Sequence, residues 1–298
     1  MAKSASYVAY GLEIHASFPL WPWGERSAVA SASYGQVSVE LGEPVPVIEP
    51  VGLRVGSAEA VLGWPGVGSF VISNGQAIVV VPAHGVTREE LALVTAGPAL
   101  AQLLEQRGLC VLHGSCVEVA GAAVVLLGAS GSGKSTIAAT LRDRGHRIIS
   151  DGMTVIDCAG PEPVALPGPP HLKLWPDAIQ SLAEPSAQTF PVARQEQKRW
   201  YPAGLCVARD PVPLRRIFLL EAGPRAAIAG LAPALGLLEV VRNYFLADYV
   251  DDNSAKEFVL GRCAAATSNI PVARLQRGQA LNDLGAVLAL LERRAGGP

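Results

Sequence analysis

Over roughly the first 85 residues, apolar and polar positions alternate with period two, the signature of half-buried strands. Gln36 to Leu41 alternates cleanly, and Tyr7 to Ile14 reads as one strand. Phe70 to Val81 splits into two β runs around Asn74-Gly75, a dipeptide suited to a two-residue hairpin turn. The period then changes. Thr87-Arg88-Glu89-Glu90 forms a capping box, and the spacing predicts a helix to about Arg107, stopped by Gly108 and kinked at Pro98. From Leu109 short apolar runs alternate with helical segments. Cys110 to Val119 is predicted as a strand, followed by a turn at Ala120-Gly121 and a continuous apolar strand from Ala122 to Leu127. Thr136 to Arg142 has helical character, and His146 to Asp151 is a short strand ending in an acid. Residues 157–171, rich in proline and glycine, are predicted as a loop. Leu174 to Leu182 reads as a helix with Asp177 in its first turn, and 183–203 as a mobile segment broken by Pro185, Pro191 and Pro202. A strand over Leu214–Leu220, helices around 234–250 and 254–266, a strand over Pro271–Leu275 and a helix over Asp283–Arg294 complete the pattern, with a disordered tail from Ala295. The pattern divides the chain into a β-rich N-terminal domain, 1–108, ending in a helix, and an α/β domain, 109–298.

Composition narrows the classes. Half of the 298 residues are hydrophobic, 17% are charged and the net charge is −2, which describes a globular chain without a nucleic-acid footprint. The five cysteines are scattered with no CxxC pair, so neither a disulfide framework nor a structural zinc site is expected. The N-terminus lacks the apolar stretch of a signal peptide and no run of about 20 apolar residues occurs, so no membrane span is expected and the cytoplasm is the expected compartment.

The candidate chemistry begins at Gly128-Ala129-Ser130-Gly131-Ser132-Gly133-Lys134-Ser135, a complete GxxxxGK[ST] phosphate loop between a predicted strand and a predicted helix. Its backbone N–H groups and the helix N-terminus at Thr136 point at an anion. Lys134 would reach the β/γ-phosphates of a bound nucleotide, and the Ser135 hydroxyl would hold Mg²⁺. Asp151 ends its strand 16 residues after Ser135, where a carboxylate holds Mg²⁺ or accepts a proton from the attacking group. His113 lies on the strand preceding the loop strand and could sit at the same end of the sheet, polarising an acceptor hydroxyl. Its bland reading is a buried histidine satisfied by backbone. Arg194, Lys198 and Arg199 form a basic cluster that either closes over phosphates or is a solvated surface. Trp175 reads as a core anchor rather than a base-stacking platform.

Leu112-His113-Gly114, the phosphate loop, Arg144-Gly145-His146-Arg147 and Ser150-Asp151 stand in the order and spacing of HPr kinase/phosphorylase, which this segment resembles. The resemblance is nearest to the HPr-kinase-like proteins encoded with lasso-peptide and similar ribosomal-peptide clusters. Those share a motif like Tyr10-Gly11-Leu12 and a PGxPxLxLWPDA signature, here Pro167 to Ala178. The specific overlap is roughly residues 109–182. The resemblance implies a phosphoenolpyruvate-carboxykinase-like P-loop kinase domain and transfer of a phosphoryl group from ATP, with Mg²⁺, to a serine hydroxyl of a precursor peptide or small protein. It implies Asp151 as base, His113 in an assisting role and Lys134 on the nucleotide. A homo-oligomer stays open. One departure stands out: relatives carry two consecutive acids where this chain has Asp151-Gly152, which leads us to expect a millimolar Mg²⁺ requirement and little reverse phosphorolysis. Asp157 and Asp177 are candidate substitutes, and His171 stands where relatives often show arginine. Two alternatives remain beside the kinase reading, a nucleotide-binding regulatory module with impaired catalysis and a small-molecule kinase.

Overall fold

The computed structural model describes residues 5–22, 33–43, 52–56, 58–193, 197–249, 253–278 and 284–295. Its first sheet is built by β1 (Ala5–Ala9), β2 (Leu12–Ala16), β3 (Gln36–Leu41), β4 (Gly52–Val55), β5 (Glu59–Trp64), β6 (Gly68–Ser73) and β7 (Ala77–Pro82), in the order β1-β2-β3-β7-β6-β5-β4. The Asn74-Gly75 hairpin forms as the dipeptide dictates, with both residues at positive φ. The single strand expected over Tyr7–Ile14 is instead a hairpin. Tyr10 and Gly11 take φ of 54° and 72°, a two-residue turn that pairs β1 with β2.

The helix after this sheet starts on the expected box: Thr87 and Glu90 bond reciprocally. It runs as α1 (Arg88–Val94), a kinked linking turn (Thr95–Ala99) carrying Gly97 and Pro98, and α2 (Leu100–Gln106). The helix is thus kinked at Gly97-Pro98, where Gly97 leaves helical backbone geometry (φ −109°, ψ −105°) ahead of the proline.

The second half comprises β8 (Cys110–Leu112), β9 (Ser115–Val119), β10 (Ala122–Leu127), α3 (Lys134–Asp143), β11 (Arg147–Ser150), β12 (Thr154–Asp157), β13 (Val164–Leu166), β14 (His171–Leu174), α4 (Pro176–Gln180), β15 (Phe190–Pro191), β16 (Arg199–Pro202), β17 (Val212–Ala222), β18 (Ala227–Gly230), α5 (Pro233–Arg242), α6 (Asn253–Thr267), β19 (Val272–Arg277) and α7 (Leu284–Ala295). The mixed central sheet runs β11-β9-β10-β17-β13-β12-β8, with β19 joined to β17 and β18 to β19. Along β10, Val124 and Leu126 face α3 and α7, while Ala123, Val125 and Leu127 face α5 and α6. An element covered on both faces needs a continuous apolar run, and this is why β10 lacks the period-two pattern. Truncating Leu126 in such a core costs about 2–5 kcal/mol.

Four sequence expectations change. Cys110–Val119 breaks at His113-Gly114 into β8 and β9, which pair in different parts of the sheet. The predicted loop over 157–171 contains β13 and the start of β14. The expected mobile segment 183–203 contributes β15 and β16 to a small sheet with β14, because Phe190, Trp200 and Tyr201 pack against the main body. The helix expected over 234–250 stops at Arg242, and the chain then crosses to pair Leu112 with Tyr244. The tail from 296 lies outside the described residues.

The two sheets share apolar packing. Val111, Met153, Val155 and Leu166 belong to the same buried cluster as Ile14, Phe70 and Leu104. Tyr10 locks the halves together: its N–H donates to Pro167 O (2.6 Å) and its hydroxyl to Met153 O (3.3 Å).

Candidate active site

The sheet delivers three segments to one end. β9 runs antiparallel to β10 with Ser115 opposite Leu126, and antiparallel to β11 with Cys116 opposite Ser150. The start of β9 therefore lies beside the C-terminal ends of β10 and β11. The His113-Gly114 break, the phosphate loop and Asp151 converge there. Gly114 is demanded by close approach, since a Cβ would stand 2.8 Å from Leu126 O. Asn243, just past α5, ties the parts together. Its side-chain oxygen accepts from the Gly128 N–H (3.0 Å), its carbonyl accepts from the His113 N–H (2.7 Å), and its amide donates to Glu239 O (2.8 Å).

His113, Asp151 and the phosphate loop border a cleft of about 470 Å³. The phosphate loop enters it with Ser130, Gly131, Gly133, Lys134, Ser135 and Thr136. Lys134 is buried, and its ammonium donates to Gly128 O (2.7 Å) and Ala129 O (3.0 Å). Burial lowers its pKa from the usual lysine value. Ser132 Oγ is buried with no hydrogen-bond partner, and Gly133, at φ 101°, starts α3 so that its first N–H groups open toward the loop. An orphaned hydroxyl, a lysine resting on loop carbonyls and a free helix N-terminus are the donor set a phosphate would satisfy.

Asp151 is buried at the cleft floor, with both carboxylate oxygens engaged. Oδ1 accepts from Ser115 Oγ (2.5 Å) and Oδ2 from the Lys173 N–H (2.8 Å). The ring of His113 opens to the cleft 6.0 Å from that of Phe245. Desolvation by the cleft walls, reinforced by the Lys134 charge and opposed by Asp151, pushes its pKa down to about 4. The imidazole is thus neutral near pH 7 and can accept a hydrogen bond. Asp151 and Ser135 both line the cleft and carry the oxygen atoms that a hard divalent cation takes.

Lys134, His113 and Asp151 thus share one cleft, while the remaining candidates divide. Lys198 lines the cleft, its ammonium 5.5 Å from the ring centre of Trp175. Arg199 does not reach it; its guanidinium donates to the Thr189 hydroxyl (2.6 Å) and carbonyl (3.0 Å). Arg194 lies outside the described residues. Trp175 is no core anchor: at 43% exposure it stands on the cleft wall, because α4 starts immediately after it and turns its ring outward. Asp157 accepts from the Tyr34 hydroxyl at the far end of β12, whereas Asp177 lies on the cleft wall. His171 is buried between the rings of Trp21 and Trp200. Gly152 has φ 80°, so its backbone conformation gives it a reason independent of charge.

Three contributors escaped the sequence reading. Ser115 carried no signal beyond following His113-Gly114. Lys173 stood inside the Pro167–Ala178 signature. Asn243 falls inside the helix expected over 234–250, although asparagine is a poor helix former that favours helix ends.

The glycine-rich loop with the GxxxxGK[ST] pattern thus joins β10 to α3 at one end of a mixed α/β sheet. Residues 101–171 match the family described as the HPr Serine kinase C-terminal domain. A stretch is 50% identical to the HPr kinase/phosphorylase of Chlorobium phaeobacteroides, covering 16% of this chain and 14% of that one. Another is 33% identical to the HPr kinase/phosphorylase of Treponema pallidum, covering 26% and 30%. The chain therefore aligns with under a third of the length of either relative. The structure of the Hpr(Ser) kinase/phosphatase from Coxiella burnetii aligns over 62% of this chain and 89% of that one, at 11% identity and a TM-score of 0.33. Among the described residues no helix is long and apolar enough to cross a membrane.

Proposed function

We propose that this protein is an ATP- and Mg²⁺-dependent kinase that phosphorylates a serine hydroxyl of a peptide or small protein, with a lasso-type ribosomal precursor peptide as the leading acceptor. We also read 109–298 as a phosphoenolpyruvate-carboxykinase-like kinase domain behind an acceptor-selecting N-terminal domain. The convergence of the loop, Lys134 and a doubly held Asp151 in one cleft carries the reading. Ser135 and Asp151 would hold Mg²⁺, which would supply charge neutralisation at the phosphates. Lys134 exchanges the loop carbonyls for phosphate oxygens, and the first N–H groups of α3 bind the same anion. Asp151, its orientation fixed by Ser115 and Lys173, accepts the proton of the attacking hydroxyl. Neutral His113 donates its ring N–H to the oxygen of that hydroxyl and orients it toward Asp151.

Leu93, Ala96 and Gly97 of the kinked helix and Trp21 of the N-terminal region form part of the cleft wall, which favours an acceptor larger than a metabolite. The positive φ of Gly152 removes that residue as an argument for a module without catalysis. Candidate precursor peptides incubated with ATP and Mg²⁺ and read by mass spectrometry test the reading. An added phosphate on serine or threonine supports it; an acid-labile product on histidine or aspartate contradicts it.

A further inference from the structure

Lys173 occupies an unusual place in the cleft. Its backbone N–H holds Asp151 Oδ2 at 2.8 Å, so the residue is locked to the acid. Pairing of β14 with β16 sets it opposite Trp200, and its ammonium lies 4.5 Å from the centre of that indole ring. Its stem crosses Gly152: Cδ, Cε and Nζ stand 3.8, 4.0 and 4.0 Å from where a Cβ at 152 would be. Glycine at 152 thus leaves room for a lysine stem beside the acid. A carboxylate on that face would attract a second cation. This chain puts an ammonium there.

Phosphoryl transfer asks a protein for positive charge around the equatorial oxygens of the moving group and for little else. We propose that Lys173 is a second phosphate-binding lysine, whose Nζ contacts a non-bridging oxygen of the transferred phosphoryl group and stands in for a second metal ion. The proposal rests on the kinase reading above. In the step, the acceptor oxygen bonds to the γ-phosphorus as the bond to the β–γ bridging oxygen breaks. The electron pair leaves on ADP, the hydroxyl proton passes to Asp151, and the Lys173 ammonium keeps its protons throughout. Trp200 holds the ammonium on the cleft side, where a cation over an indole face is favourable.

The test uses the full chain with Lys173→Met, Lys173→Arg and Lys173→Ala. Calorimetry with ATP and with inorganic pyrophosphate, in chelator and then in Mg²⁺, is expected to show binding weakened at least about tenfold in Lys173→Met, most strongly without metal. The Arg variant stays near wild type. Transfer in Lys173→Met should fall about 10²-fold, the scale of a lost transition-state donor, with a raised half-saturating Mg²⁺. Methylammonium should restore part of the activity to Lys173→Ala, which a merely structural role would not permit. Wild-type affinity and turnover in a folded Lys173→Met variant would overturn the inference and leave the kinase reading intact. Should Lys173→Met fail to fold, unrescued loss of both binding and transfer in a folded Lys173→Arg or Lys173→Ala variant would overturn it equally. A wild-type protein that binds neither ATP nor pyrophosphate would sink both.

Discussion

Ser115→Ala isolates what holds the acid in place. The Asp151 carboxylate has two described partners, Ser115 Oγ at 2.5 Å and the Lys173 N–H at 2.8 Å. Ser115 is 0% exposed and Asp151 only 7%, so water does not readily replace a deleted hydroxyl. A hydrogen bond to a charged group is worth about 1.5–3 kcal/mol, and a buried acceptor left short of a donor costs a similar amount. If half of that appears as misorientation in the transition state, turnover falls about three- to tenfold; if all of it does, the fall reaches about 10²-fold, since about 1.4 kcal/mol is one decade. The remainder appears as a melting temperature lowered by a few degrees. Affinity for ATP should stay unchanged, because Ser115 makes no described bond to the phosphate loop. Initial rates of phosphopeptide formation, calorimetry with ATP and a melting curve separate the three quantities. Ser115→Thr keeps the hydroxyl and should recover most of the rate if its methyl group fits. Full turnover in Ser115→Ala with a lowered melting temperature would show the contact to be structural only, and the assignment of Asp151 as an oriented base would go with it. Asp151→Asn, which removes the charge itself, should cost several orders of magnitude while nucleotide still binds.

Three further outcomes are expected. Lys134→Ala should abolish transfer and weaken ATP binding in calorimetry, because a charge-assisted contact to phosphate is lost; unchanged turnover would remove the loop from the mechanism. His113 should titrate near pH 4 by NMR rather than near 6.5: its folded pKa lies below the unfolded one, so its contribution to stability is complete above about pH 6.5 and is lost as the pH falls toward 4. His113→Ala should cost about 10²–10⁴-fold in rate, less than Asp151→Asn. Gly152→Asp should lower the melting temperature, by about 1 kcal/mol of stability, without tightening Mg²⁺ binding, because φ is 80° and the new carboxylate would stand beside the Lys173 ammonium.

The legible parts were those where local chemistry decides. Asn74-Gly75, the Thr87–Glu90 box and the glycine loop after a fully apolar strand each specify their conformation within a few residues. The place of Asp151 in the loop's cleft was legible because it stands at the end of the short strand that follows the loop helix. The misread parts were decided at long range. Tyr10 accepts φ 54°, uncommon for so large a side chain, because Pro167 and Met153 bond it from the other sheet. The chain after Arg242 abandons its helix because Asn243 serves Gly128 and His113, more than a hundred residues earlier. Trp175 reads as core by composition, yet the start of α4 decides which way it faces.

The cleft divides its labour unevenly between the two sheets. The phosphate end, from Lys134 through Asp151 to Lys173, is made wholly by residues after 109 and is fixed by the register of β9, β10 and β11. The cleft wall also borrows Trp21 and the kink at Ala96-Gly97, and the first sheet is fastened to the second by Tyr10 beside Met153, one residue beyond Gly152. In the kinase reading, the chemistry is therefore insulated from acceptor choice. Substitutions at the helix kink, where a Cβ at Gly97 would meet nothing within 4 Å, can reshape the acceptor wall without moving the loop or the acid. A larger residue at 97 should accordingly raise the KM for a peptide acceptor and leave ATP affinity alone. Were ATP affinity to fall in step with the peptide KM, the two ends would be one site, and the insulating role assigned to the first sheet would be lost.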